Sequence, residues 1–264
     1  MTHFFGSTAR PKKVFGEGPL LQTFYDTIWA NAPGAEEINQ AMLGLWDDNA
    51  LEHTWVLPDN FHVKIKVTGV VTEMVHFLDE PFEVSHKENM PVTGGRSLCA
   101  NMVHSIDGMV VREMQRRCNY DASWIQELTK LLDNGAAGRN THRESDLLVL
   151  ELWEHFKNTG FLSTRILDYL DIDNLGLVNH KAIQDLIATL PAKPFELISI
   201  HDCFRCLPNY GNDLRRQYNT ILADIAESDL LSSIVSQICH RVIQIGKLDP
   251  NLAQDIRQTN YALS

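Results

Sequence analysis

A mixed α/β fold in which helix predominates is what this sequence predicts, and three observations carry the prediction. Apolar residues recur at helical spacing through most of the chain, as at Leu21, Phe24, Tyr25 and Ile28. Period-two alternation is confined to one stretch, where Val63, Ile65 and Val67 interleave with His62, Lys64 and Lys66. A lone apolar β-type run, Phe195–Ile200, sits between helical segments. Internal repeats and low-complexity tracts are absent.

Taken in order, Gly6, Pro11, Gly16 and Gly18 punctuate the start, and helices are expected over Leu20–Ala30 and Ala35–Leu45. Residues 54–63 then read as strand, turn and strand. Pro58-Asp59-Asn60 supplies the turn, because proline presets φ and asparagine tolerates the left-handed region. Val70–Phe77 is expected to continue the second strand or pair with it. After a loop at Pro91–Gly95, Ser97–Met114 should be helical, with Ser97, Asn101 and Ser105 on one side. Tyr120–Leu190 reads as mostly helix, with loops at Asp133–Gly138 and Leu170–Gly176, and Pro191 and Pro194 end it. Beyond the Phe195–Ile200 run, helices are expected over Gly211–Ser228 and most of Leu230–Gly246.

With 264 residues, 44% hydrophobic and 22% charged, the composition is that of an ordinary globular chain of one large or two small domains. No apolar run approaches membrane-spanning length, and the N-terminal residues lack a secretory pattern, so no membrane partner is expected and a cytoplasmic setting is. The net charge of −11 speaks against a nucleic-acid binder taken alone, although a local basic cleft or a positively charged partner chain would offset it. Five scattered cysteines predict reduced thiols, and Cys203-Phe-Arg-Cys206 lacks the second pair that a zinc site wants.

Three short segments carry chemistry. Asp202, in Ile200-His201-Asp202-Cys203-Phe204, follows an apolar strand. A buried carboxylate there needs a cation such as Mg²⁺; the alternative is an Asp that caps a turn. Asn101-Met-Val-His104-Ser105-Ile-Asp107-Gly108 has more polar groups than a plain core helix, and could present donors to a polar substrate or be a solvated face. Trp55-Val-Leu-Pro58-Asp59-Asn60-Phe61 by itself reads as a hairpin. A fourth segment, Asp171-Ile-Asp173-Asn174-Leu175-Gly176, starts like a calcium loop. It places Ala182 where the bidentate carboxylate belongs, so a polar interhelical loop is expected instead.

In this order the segments resemble the single-subunit RNA polymerases of phages and mitochondria. The family's Trp-x-x-Pro turn is matched by Trp55–Val63, with Asn60 in place of Gly. Its His-Lys stretch and Asn-x-(Val/Ile)-His-Ser-x-Asp motif are matched by Ser85-His86-Lys87 and Asn101–Asp107, and its His-Asp-(Ser/Cys)-Phe strand end by His201–Phe204. The end, Asn260-Tyr261-Ala262-Leu263-Ser264, looks like the family's own C-terminus, and Phe5-Gly6 stands where a fingers helix closes in Tyr-Gly. The match covers the chain apart from about residues 115–192, which form an insertion.

The resemblance implies the C-terminal part of a polymerase right hand, fingers tail plus palm, with a helical insertion. Residues 1–53 would be fingers helices, 54–114 the turn and the His-Ser-x-Asp helix, 115–192 the insertion, and 193–264 the palm strand and tail. It implies a DNA-directed RNA polymerase, a nucleotidyltransferase acting in transcription in a phage-infected host cytoplasm. Its partners would be a DNA template, an RNA product and nucleoside triphosphates. Asp202 would ligate Mg²⁺, one of two bridging carboxylates. His104 would line the minor groove at the primer end, Ser105 and Asp107 would support it, and His201 would orient the metal turn. The second Asp and the phosphate-holding Lys and Arg are expected outside this chain, on a second polymerase polypeptide or a longer version of it. Phe5 lacks the phenol that senses a ribose 2′-hydroxyl, which leaves a DNA polymerase of the same superfamily as the first alternative. A non-catalytic acidic scaffold is the second. Leu147, Leu148, Leu150, Leu152, Trp153 and Phe156 predict that the insertion packs as a small helical module that grips DNA or binds a partner.

Overall fold

A helix-rich α/β chain is what the computed structural model shows over the residues it describes: 3, 9–135, 143–144, 146–200 and 203–261. The chain divides into two units, residues 1–55 with 63–105, and residues 56–62 with 106–264.

The first unit begins with α1 (Ala9–Phe15), α2 (Pro19–Asn31) and α3 (Pro33–Gly44). Pro19 and Pro33 open their helices, where a missing N–H removes a donor that has no intrahelical partner anyway. No residue of α2 is buried, whereas α3 buries Glu36, Asn39 and Met42. Glu36 accepts from Gln40 at 2.8 Å and lies 2.6 Å from His3 Nε2. Strands β1 (Glu52–Val56) and β2 (His62–Lys66) form the expected hairpin, whose tip belongs to the second unit.

The next strand, β3 (Thr68–Phe77), neither continues β2 nor pairs with it. It pairs antiparallel with β4 (Glu80–Asn89), in register from Thr68↔Asn89 to Phe77↔Glu80. Its two-residue turn puts Leu78 and Asp79 at φ +52° and +63°, the left-handed pair that matches strand twist. That turn carries no glycine or asparagine, and Pro81 sits second in β4 where proline argues against a strand, so the hairpin left little trace in composition. Helix α4 (Ser97–Cys118) runs four residues past the expected Met114, and the boundary between the units falls after its Ser105.

In the second unit, α5 (Ala122–Asp133), α6 (Asp146–Thr159) and α7 (His180–Ala188) pack around Leu128, Leu132, Val149, Leu152, Ile166 and Ile183. Of the residues in the leucine pattern, Leu152 lies in this core and Leu148 and Trp153 pack against it, whereas Leu147 is exposed. Asp121 caps α5 by accepting from Ser123 N and Trp124 N, and Asn179 caps α7 by accepting from Ala182 N. The calcium-like loop is filled by a side chain. Arg143 donates to Asp171 at 2.7 Å, Asp146 at 2.9 Å and Asp173 at 3.3 Å, so a guanidinium stands where a cation would.

Strands β5 (Ile198–Ile200) and β6 (Cys203–Arg205) pair antiparallel, and α8 (Gly211–Glu227), α9 (Leu230–Cys239) and α10 (Leu252–Gln258) follow. α9 is shorter than the sequence suggested. His240 turns left-handed at φ +51°, and Ser236 Oγ then holds the backbone N–H of Ile243 at 2.8 Å. α10 had no advance signal; Asn219 of α8 donates to the Thr259 carbonyl just past its end. No helix among the described residues is long and apolar enough to cross a membrane.

Candidate functional site

The site is organised by the second half of α4. Its first contact is the turn between β1 and β2. Leu57 N donates to the Phe61 carbonyl at 3.0 Å, Asn60 N donates to the Leu57 carbonyl at 2.8 Å, and Asn60 sits at φ +56°. The residue type the sequence pointed to is thus at the left-handed position. Asp59 is wholly buried at this turn. Arg112 grips its carboxylate with two nitrogens, at 2.6 and 3.1 Å, and Arg116 adds a third contact at 3.2 Å. Arg112 also lies over the Phe61 ring, 4.2 Å from its centroid.

One residue further along, on the neighbouring face of the helix, Glu113 and Arg117 are buried. Glu113 accepts from Ser163 Oγ at 2.5 Å, Thr164 N at 2.9 Å and Arg116 at 3.0 Å. Arg117, 1% exposed, donates to Thr164 Oγ1, Thr189 Oγ1 and Asp224. Each buried charge therefore has an opposite charge and further hydrogen bonds, the condition for keeping ions in a low-dielectric interior. Asp168 stands near this network, and desolvation raises its carboxyl against the pull of Arg116.

The third contact is with the segment that leads into the Ile198–Ile200 strand. Gln115 Nε2 donates to the Leu197 carbonyl at 3.2 Å and to Ser199 Oγ at 3.3 Å, and Phe195 N donates to the Cys118 carbonyl at 2.7 Å. The apolar run does not form one buried strand, as its composition suggested. Phe195 and Leu197 are buried, but only residues 198–200 are strand, and Ile198 and Ile200 are 63% and 54% exposed. Beyond β6, Met114, Phe204, Gly211, Arg215, Tyr218 and Tyr261 line an open cavity of about 460 Å³, with Arg215 set 5.0 Å from the Tyr261 ring centroid.

Within the first unit, the buried Trp55 donates from Nε1 to Ser105 Oγ at 3.1 Å, and Ser105 Oγ donates to the Met102 carbonyl. Two segments fifty residues apart thereby meet, and Ser105 supports the hairpin rather than facing solvent alone. His104 and Asp107 are both solvent-exposed on the same helix. Asp202, His201, Phe5 and Gly6 lie outside the described residues. The cysteines are free thiols, and burial pushes Cys118 up to about 12.

Sequence reasoning missed Arg112, Glu113, Arg116 and Arg117. Their signal was present: charges of both signs at i, i+3 and i, i+4 along a helix with an apolar remainder. Comparison with protein-family models finds no match, and no curated protein matches the chain.

Proposed function

We propose that this chain is the C-terminal, active-site part of a single-subunit DNA-directed RNA polymerase, completed by a second polypeptide segment. The observation that carries this reading is the convergence on α4. The helix bears Asn101–Asp107 itself, clamps Asp59 of the Trp55–Val63 turn, and holds the strand leading to Asp202 through Gln115. The Asp59 turn and the strand at Leu197–Ser199 both meet the second half of this helix, and two segments that a polymerase motif set must share have a reason to do so.

His104 is exposed, as a group that touches the end of a primer has to be. The cations of α4 are committed to Asp59, Glu113 and Asp224, so they leave little positive surface for phosphates. The exposed Ile198 and Ile200 are what a palm strand presents without its neighbours. Among the described residues no three metal-ligating side chains gather. Asp202 is the residue that would hold Mg²⁺ here, with its second carboxylate supplied from outside residues 1–264. Bound Mg²⁺ would supply charge stabilisation to the transferring phosphoryl group and an activated 3′-hydroxyl.

The test is Mg²⁺-dependent extension of an RNA primer on a DNA template by the chain co-expressed with a polypeptide carrying the second Asp, the Lys and the Arg. Wild type should extend and Asp202→Ala should not. Extension with rNTPs but not dNTPs distinguishes an RNA from a DNA polymerase. A folded complex that binds primed template yet stays silent in both forms overturns the reading in favour of a scaffold.

A further inference from the structure

The ribbon β3–β4 exposes both its backbone and its apolar side chains. It is a two-stranded sheet, and among the described residues nothing pairs with the long backbone edges of its ten-residue strands. A two-stranded ribbon is marginal in water, and proteins ordinarily shorten or cover such edges. Its side chains are also in the wrong solvent. Residues opposite one another share a face, so Val75 and Phe82, with Phe77 and Val84 beside them, form one apolar patch. Phe77 is 65% exposed, Phe82 51%, and Leu78 stands out at the tip. An apolar patch of this kind on a projecting element marks a protein contact.

Charge selects the occupant. Across residues 68–89 there are five carboxylates against one lysine, and Glu73 and Glu80 lie on the apolar face itself. A nucleic acid would meet repulsion along the whole ribbon. A second copy docked ribbon to ribbon would set Glu against Glu. What fits is a polypeptide segment with apolar side chains flanked by Lys or Arg, adding a strand or laying a helix on the patch.

We infer that the β3–β4 ribbon is a docking arm for a basic, apolar segment of the polypeptide that completes the polymerase. The docking surface stands on the ribbon's exposure and charge; the identity of its occupant rests on the polymerase reading. The first unit supplies a parallel case, since α2 buries none of its apolar residues and leaves Leu20 and Trp29 exposed.

The experiment measures binding between the full chain and the polypeptide carrying the second Asp, the Lys and the Arg, by sedimentation and titration, with primer extension read in parallel. Three forms are compared: wild type, Phe77→Ser with Phe82→Ser, and Glu80→Lys with Glu83→Lys. The altered side chains are exposed, and circular dichroism checks that each form is folded. Both double variants should bind about tenfold or more weakly. Raising salt from about 0.05 M to about 0.5 M should weaken the wild-type complex more than the lysine variant. The inference is overturned if wild type forms no complex, if both variants bind as tightly as wild type, or if the chain alone forms a dimer that the Phe variant abolishes. A complex that depends on the ribbon but does not extend a primer leaves the docking arm standing and removes the polymerase.

Discussion

The two units solve the same problem in opposite ways. The second closes on itself: α5, α6 and α7 enclose a leucine-rich core, and α4 buries a network of ions whose every member is matched. The first unit buries Met42, Trp55, Val63, Val67, Leu98, Cys99 and Met102, and leaves α2 and the β3–β4 ribbon with apolar faces in water. The difference lies in whether the apolar period of each element meets another element of the same chain. An apolar face that meets no other element is the kind of surface that marks a contact.

The largest expected effect tests the closed unit. Glu113→Ala removes the acceptor of Ser163 Oγ and Thr164 N, and leaves Arg116 and the buried Arg117 short of a counter-charge. Breaking a buried pair from one side costs about 3–5 kcal/mol, read as a loss in urea unfolding. A loss below about 1 kcal/mol would mean that water reaches the network and the unit is less closed than its geometry says.

A paired substitution sharpens the contrast. Leu152→Ala in the second unit opens a cavity and should cost about 2–5 kcal/mol. Phe77→Ala, a larger truncation, should change stability by less than about 0.5 kcal/mol, because its side chain already faces water. Equal costs would show that the ribbon is covered in the isolated chain, and the distinction between the units would fall.

These contrasts explain what the sequence made legible. The helices were readable where the apolar period is regular and a cap marks the start, as at Asp121 and Asn179. The first hairpin was readable from Pro58-Asp59-Asn60. The ribbon's return strand was not, because Leu78-Asp79 takes the left-handed turn without a residue that announces it. α9 was overextended because the chain past His240 stays apolar after the helix has ended, and a periodic pattern cannot report a side chain such as Ser236 catching the backbone. At the site, the motif segments were legible one at a time, but the clamp that unites them was not. Asp59 and Arg112 are ordinary turn and helix residues until the fold makes them partners across fifty-three positions.

Asn60 gives a test of intermediate size on the second unit's rim. Its left-handed backbone favours Gly or Asn, and its side chain donates to Glu151 at 2.6 Å and faces His155 Nε2 at 3.1 Å. Asn60→Ala should cost about 1–2 kcal/mol, adding backbone strain to the lost contacts. Asn60→Gly loses the contacts but relieves the strain, and should cost less. Equal losses from the two would mean that the side-chain contacts, and not the backbone, set this position.

The smallest effect is on pH, and it probes both units at once. Burial lowers His53 in the first unit, against an opposing pull from Asp47, and burial lowers His155 in the second, against Glu151. Each folded histidine thus resists a proton that its unfolded counterpart accepts at the ordinary value of about 6.5. Stability contributed by these groups is whole above that value. It declines as pH falls through it, because the unfolded chain then binds more protons, and the loss is complete once pH passes below the depressed folded values. Urea midpoints should therefore fall between about pH 7.5 and about pH 5.5. His155→Gln, whose amide still donates toward Asn60, should flatten the fall, and His53→Gln should do so independently. If the units unfold separately, each substitution will flatten only its own transition. If either one flattens the whole curve, the open unit and the closed unit unfold as one, and the first unit draws its stability from the second despite its exposed apolar faces.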